Sequence, residues 1–159
     1  MKICLRFPGA IRPKALAAAE SEYAKRLARM GVEISEYRPE KVSGEIDRLR
    51  RAEAERLLKE LRPEDWVVAC DERGTPVSTR AFAELLRGAR GGIGRAAGRR
   101  RLIFVVGGAL GLDESVRERA DELWALSSLV MAGGVARIVL LEGLYRAMTI
   151  VAGHPYHNE

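Results

Sequence analysis

A chain of 159 residues, 47% of them apolar, is long enough for one domain with a real core and too apolar for wholesale disorder. No run reaches the roughly 18 uncharged apolar residues of a membrane span, and Met1-Lys2-Ile3-Cys4-Leu5-Arg6 opens too briefly for a secretion signal, so a cytoplasmic protein is expected. The formal charge of +5 is carried mostly by arginine, which grips phosphate bidentately and stacks on bases; it permits a nucleic-acid partner without requiring one.

Ile3, Leu5 and Phe7 alternate along a first strand over residues 2–7, and Phe7-Pro8-Gly9 turns the chain. From Pro13, suited to a first helical position, Leu16, Tyr23, Leu27 and Met30 recur at helical spacing until Gly31 stops the helix. Val32 to Tyr37 reads as a second strand. Ser43 can cap a second helix to about Leu61. That helix turns Ile46, Leu49, Leu57, Leu58 and Leu61 inward, with Arg48, Arg50, Arg51, Glu53, Glu55 and Arg56 on a solvated face of mixed sign. Trp66-Val67-Val68-Ala69-Cys70 is a third strand, and Asp71-Glu72-Arg73-Gly74 a turn-prone exit. Sites in α/β sheets lie beyond the carboxyl ends of strands, which makes Asp71 and Glu72 candidates; turn chemistry alone also accounts for them. Ser78 can cap a third helix through Ala81, Phe82, Leu85 and Leu86. Arg87 to Arg101 holds six arginines, five glycines and no acid, and is expected to be a mobile loop, either a connector or a phosphate-binding arm.

Leu102 to Val106 is strand-like and ends in Gly107-Gly108-Ala109-Leu110-Gly111. A short polar helix capped by Asp113 follows, then a second apolar run, Trp124 to Met131, closed by Ala132-Gly133-Gly134. A long helix from Val135 to about Val151 is apolar nearly all round, so it needs cover on more than one side; a second subunit is a natural cover. The order of strands and helices is the α/β pattern with a mostly parallel sheet, in one domain over residues 1–159.

The glycine run after a strand and before a helix suits close approach of backbone to a ligand, or simply a tight turn. It lacks the spacing of a dinucleotide fold, and no Gly-Lys-Ser/Thr phosphate loop is present. The only histidines, His154 and His157, have no further ligands nearby, which argues against a metal. They flank Pro155-Tyr156, and Tyr156 offers a stacking face. Glu142 and Arg146 sit four apart; they are a surface pair, or Arg146 points at an anionic substrate. Cys4 and Cys70, the only cysteines, lie in separate strand-like runs and read as small buried hydrophobes rather than a disulfide.

Leu102 to Gly111, Leu126-Ser127, Arg137-x-x-x-x-Glu142-x-x-Tyr145-Arg146-Ala147, the closing Pro155-Tyr156-His157 and Glu22-Tyr23-x-x-Arg26-Leu27 together resemble the RlmH family. These are bacterial 23S rRNA pseudouridine N3-methyltransferases of the SPOUT class. The resemblance spans the whole chain and implies a trefoil-knotted α/β fold, a homodimer, and S-adenosylmethionine bound bent in the knot. By residue-to-residue transfer, the cofactor would meet Cys70, Gly107, Gly108, Leu126, Ser127, Ser128, Leu129, Val130 and Met131. Arg146, Tyr156 and His157 would face the substrate nucleotide, Arg146 stabilising charge and Tyr156 or His157 positioning the base or taking its proton. Ala132-Gly133 stands where relatives usually have Pro-His, and Gly143 where many have Gln. A knotted RNA- or ribosome-binding protein with weakened catalysis is the alternative reading.

Overall fold

A helix after each strand carries the chain back to the end where it started, so the next strand runs parallel to the last. The computed structural model describes residues 1–41 and 44–156. In chain order it holds β1 (Lys2–Pro8), α1 (Lys14–Arg29), β2 (Val32–Tyr37), α2 (Ile46–Glu60) and β3 (Asp65–Pro76). These are followed by α3 (Thr79–Gly91), β4 (Arg101–Val106), α4 (Glu114–Arg119), β5 (Glu122–Ala125) and α5 (Gly133–Val151). The strands lie in the order β2-β1-β4-β3-β5, and each of these pairings is parallel.

Strand side chains alternate between the two faces of the sheet. Leu5, Phe7, Leu102 and Phe104 pack beneath α1, α3 and α5, meeting Leu27, Phe82, Leu86, Leu140 and Leu144. Cys4, Val67, Ala69, Ile103 and Val105 face the other way, onto Ala54 and Leu57 of α2 and Val116 of α4. Burial on both faces is why β3 and β4 read as unbroken apolar runs. Each large side chain withdrawn from water here contributes about 1.5–3 kcal/mol. Phe82, Phe104 and Trp124 form a tilted aromatic triad with centroids 4.9 to 5.6 Å apart, tying α3 to β4 and β5.

Several elements depart from the sequence-based expectation, each for a tertiary reason. β3 does not end at Cys70 but continues to Pro76, with a register shift against β5 between Cys70 and Thr75. At Gly74 a Cβ would stand 2.6 Å from the backbone of Leu123 and Trp124, so only glycine lets the strand cross so closely. The run to Met131 is not all strand: β5 stops at Ala125, and Leu129 and Val130 are 74% and 82% exposed. α2 starts at Ile46, which is exposed rather than inward, while Glu53, expected in solvent, is buried. Ser43 lies outside the described residues. α5 begins two residues early, at Gly133, and Val135 and Val139 on it are exposed.

The arginine-glycine segment is not a mobile loop. α3 runs on to Gly91, Gly92 closes it at φ 68°, and Ala96 is buried. Arg95 pairs with Glu122 at 2.9 Å. Arg99 donates to the Pro63 carbonyl at 2.8 Å and lies over the Trp66 ring. Arg101 grips the fully buried Asp65 through two hydrogen bonds of 2.8 and 2.6 Å. The acids absent from the segment itself are supplied by distant parts of the chain.

Arg137, buried on α5, has a structural role. It donates to the Gly9 carbonyl and to Glu20 at 2.5 Å each and to Glu36 at 3.1 Å, with its guanidinium 4.2 Å from the Phe7 ring centroid. A desolvated arginine with this many partners fixes the start of α5 onto the β1–α1 turn.

Candidate functional site

Beyond the carboxyl ends of β4 and β5, and beside the register shift in β3, lies a pocket of about 580 Å³. This is where parallel α/β sheets hold ligands. Cys70, Gly107, Gly108, Leu126, Ser127, Leu129, Val130 and Met131 all line it; of the expected cofactor residues only Ser128 does not. Ala132 and Gly133 close one side. No side chain caps α5; the Val135 N–H already bonds the Ala132 carbonyl at 2.9 Å, which leaves the Gly133 and Gly134 N–H groups as the ones open to a ligand or water. Ser127 Oγ accepts from the Leu129 N–H at 2.9 Å, which sets the bend in the apolar loop after β5.

The glycine run forms the tight turn that is one of its two sequence readings. A Cβ on Gly107 would stand 2.9 Å from the Gly111 carbonyl carbon, and one on Gly108 would meet Pro8 and Glu53 at 3.4 Å. Both would therefore point into packing around the turn. Gly111 adopts φ 72° and its N–H bonds the Gly108 carbonyl at 3.0 Å. The glycines let the turn close on itself, and the closed turn presents its main chain to the pocket.

Charged side chains brace this turn from outside. Arg50 Nε on α2 donates to the Leu110 carbonyl at 2.8 Å, and Arg117 Nη1 on α4 donates to the Leu112 carbonyl at 2.5 Å. Arg117 also pairs with Asp71 at 3.2 Å, both side chains being about nine-tenths buried. Asp71 in addition accepts from the Arg73 N–H at 3.0 Å, so the two readings of that carboxylate, turn former and pocket residue, both hold. Burial pushes the Cys70 thiol up to about 12, which favours the protonated form at neutral pH. Burial likewise raises the Glu53 carboxyl, beside Gly108.

Arg146 and Tyr156 lie elsewhere. From Gly133 to Arg146, α5 rises about 20 Å at roughly 1.5 Å per residue, and neither Arg146 nor Tyr156 lines the pocket of its own chain. Arg146 donates to Glu142 at 2.9 and 2.6 Å and lies 5.1 Å from the Tyr156 ring centroid. Tyr156 meets Tyr145 edge-on at 4.7 Å, Tyr145 meets Tyr23 at 6.3 Å, and the Arg26 guanidinium lies over both Tyr23 and Tyr145. Burial, with a contribution from Tyr156, raises the Tyr23 hydroxyl. The result is a cluster of three tyrosines and two arginines joining α1, α5 and the tail. His157 lies outside the described residues.

Sequence reasoning missed Arg50 and Arg117. Arg50 sat on a stripe of mixed charge that gave no sign of meeting the turn, and nothing local marks Arg117. Among the described residues, no group of three or more His, Cys, Asp or Glu is placed to hold a metal, and no helix is long and apolar enough to cross a membrane.

The chain, with its parallel five-stranded sheet, glycine turn after β4 and pocket closed by the loop leading into the last helix, is a SPOUT-class methyltransferase by its match to that family. Residues 1–157 match the family described as "Predicted SPOUT methyltransferase". The chain is 40% identical to the ribosomal RNA large subunit methyltransferase H of Methylobacillus flagellatus, over 100% of both chains. It is 43% identical to the protein of that name from an Anaeromyxobacter species, over 89% of this chain and 90% of the other. With that from Syntrophotalea carbinolica it shares 39% identity over 99% of each. The chain belongs to this family, the RlmH family of SPOUT methyltransferases.

Proposed function

We propose that the chain transfers a methyl group from S-adenosylmethionine to N3 of a pseudouridine in 23S rRNA, in the cytoplasm, on the ribosome or its large subunit, and as a homodimer. The observation that carries this reading is the pocket at the strand ends. Its volume falls within the roughly 300–1,000 Å³ of small-molecule sites. Its walls fit the cofactor: Cys70, Val106, Leu129, Val130 and Met131 offer an apolar slot for a purine, and the glycine turn and the start of α5 offer main-chain donors and acceptors. The trefoil knot that the resemblance implies belongs to the same proposal.

When bound, S-adenosylmethionine supplies an electrophilic methyl on a sulfonium sulfur. The chain's task is then placement. Holding two reactants in line can remove roughly 7–11 kcal/mol of barrier. Because burial favours the protonated form of Cys70, a competing thiolate nucleophile in the pocket is disfavoured. Arg146, fixed by Glu142, places positive charge where the deprotonated imide forms, and Tyr156 gives the base a stacking face. His157 takes the N3 proton or, with Tyr156, positions the base.

Arg146 and Tyr156 are remote from the pocket of their own chain, so the reading requires the second subunit. Leu129 and Val130 are exposed at the pocket rim, and Val135 and Val139 are exposed along the first turns of α5. A second copy covering them would remove apolar surface that monomers rarely expose, and the proposal has that copy contribute its own residues 146 and 156 to this pocket. The test is transfer of a labelled methyl group from S-adenosylmethionine to large subunits prepared without the modification. Transfer supports the proposal; tight subunit binding without transfer favours the weakened RNA-binding protein.

A further inference from the structure

The pocket lining combines apolar residues with charged ones gathered around the glycine turn, and the charged part holds one cation poised for an anion. Three arginines line it: Arg50, Arg73 and Arg117. Arg117 is committed to Asp71, Glu114 and the Leu112 carbonyl. Arg73 is exposed on the irregular stretch of β3. Arg50 differs from both. Its Nε is fixed on the Leu110 carbonyl at 2.8 Å, and its side chain is 30% exposed. Its nearest carboxylate is Asp47, 3.6 Å from Nη1 and itself 81% exposed, a pair that water screens heavily. One edge of the guanidinium is thus anchored and, among the described residues, the other is held only by that screened pair, which leaves a preorganised fork for a carboxylate.

We infer that Arg50 binds the α-carboxylate of the cofactor's amino-acid part, and so orients the ligand from the charged part of the lining while the purine meets the apolar part. The inference rests on the assignment of the pocket to S-adenosylmethionine. Its physical content is that a zwitterionic tail must be matched by charge where it leaves the apolar slot, and Arg50 is the lining cation both held in place and weakly paired. The other anion-accepting feature at the pocket is the uncapped start of α5, where Gly133 packs against the Gly107 carbonyl.

Calorimetry on the full-length protein separates the alternatives with two ligands. S-adenosylhomocysteine carries the carboxylate; 5′-methylthioadenosine has the same nucleoside and thioether without the amino acid. A charge-assisted contact of this kind predicts that Arg50→Gln weakens S-adenosylhomocysteine roughly ten- to a hundredfold. Binding of 5′-methylthioadenosine should stay within about twofold of the parent value, on the same reasoning. Equal weakening of both ligands would overturn the inference, because Arg50 would then act only as a brace on the glycine turn. No change in either would overturn it in favour of the α5 N-terminus. If the unsubstituted protein binds neither ligand, the inference falls together with the pocket assignment, a result distinct from the other two.

Discussion

Replacing Arg101 by alanine should destabilise the protein severely, although Arg101 closes a segment whose composition reads as a mobile basic arm. Arg101 makes two hydrogen bonds to Asp65, whose side chain is 1% exposed, and a third to the Glu60 carbonyl at 3.0 Å. Removing one partner of a buried pair leaves the other charge uncompensated, at a cost of about 3–5 kcal/mol. At roughly 2–4 °C per kcal/mol for a domain of this size, the melting temperature should fall by about 6–20 °C. Arg100→Ala is the control: its side chain is exposed, and its hydrogen bond to Glu64 is made by the backbone N–H, so less than about 0.5 kcal/mol is expected. The pH dependence supplies a second check. Burial alone would raise the Asp65 carboxyl, but Arg101 and the Arg62 N–H hold it below the ordinary carboxylate range. A depressed acid contributes stability above its unfolded pKa and loses it as pH falls through the folded one. The deficit of Arg101→Ala should therefore be full at neutral pH and shrink below about pH 4. Thermal unfolding followed by circular dichroism measures all of this. Equal melting temperatures for the Arg100 and Arg101 variants would refute the reasoning and restore the free arm.

Glu53→Gln should stabilise the protein at neutral pH. Burial raises the Glu53 carboxyl, so its contribution is present below the unfolded pKa and lost as pH rises through the folded one. A glutamine carbonyl can still accept the Glu40 N–H, and the melting-point gain over the parent should vanish near pH 4. Gly74→Ala should cost at least about 1–3 kcal/mol in urea unfolding, because its Cβ overlaps β5 backbone that cannot move aside. Val130→Glu combined with Val139→Glu should give a 17.6 kDa species in sedimentation, where the parent sediments as a dimer. Removing residues 155–159 should leave S-adenosylmethionine binding near normal in calorimetry while methyl transfer falls by more than about tenfold, since it deletes the stacking face beside Arg146.

What could be read from the sequence was what depends on local periodicity. Alternation in Ile3, Leu5 and Phe7, helical spacing in Leu16, Tyr23 and Leu27, and the caps at Ser78 and Asp113 all have short-range causes. The pocket was legible for a related reason: strand ends followed by glycine mark where a parallel sheet opens. What escaped depends on partners far away in the chain. The arginines of residues 87–101 look free until Asp65 and Glu122 are brought beside them. Gly74 looks like a turn glycine until β5 lies across it. Leu129 and Val130 read as strand because they are apolar, yet their apolarity serves a loop at the pocket rim. Glu53 and Arg50 share a helix face that seemed made for water, and the β4 turn that meets them is more than fifty residues on.

The most direct test of the proposed reaction is mass mapping of 23S rRNA from a strain lacking this gene beside its parent. The proposal predicts that one pseudouridine-containing fragment loses the mass of one methyl group in the deletion strain, and regains it when the intact gene is restored but not the Arg146→Ala form. An unchanged fragment pattern in the deletion strain would contradict it.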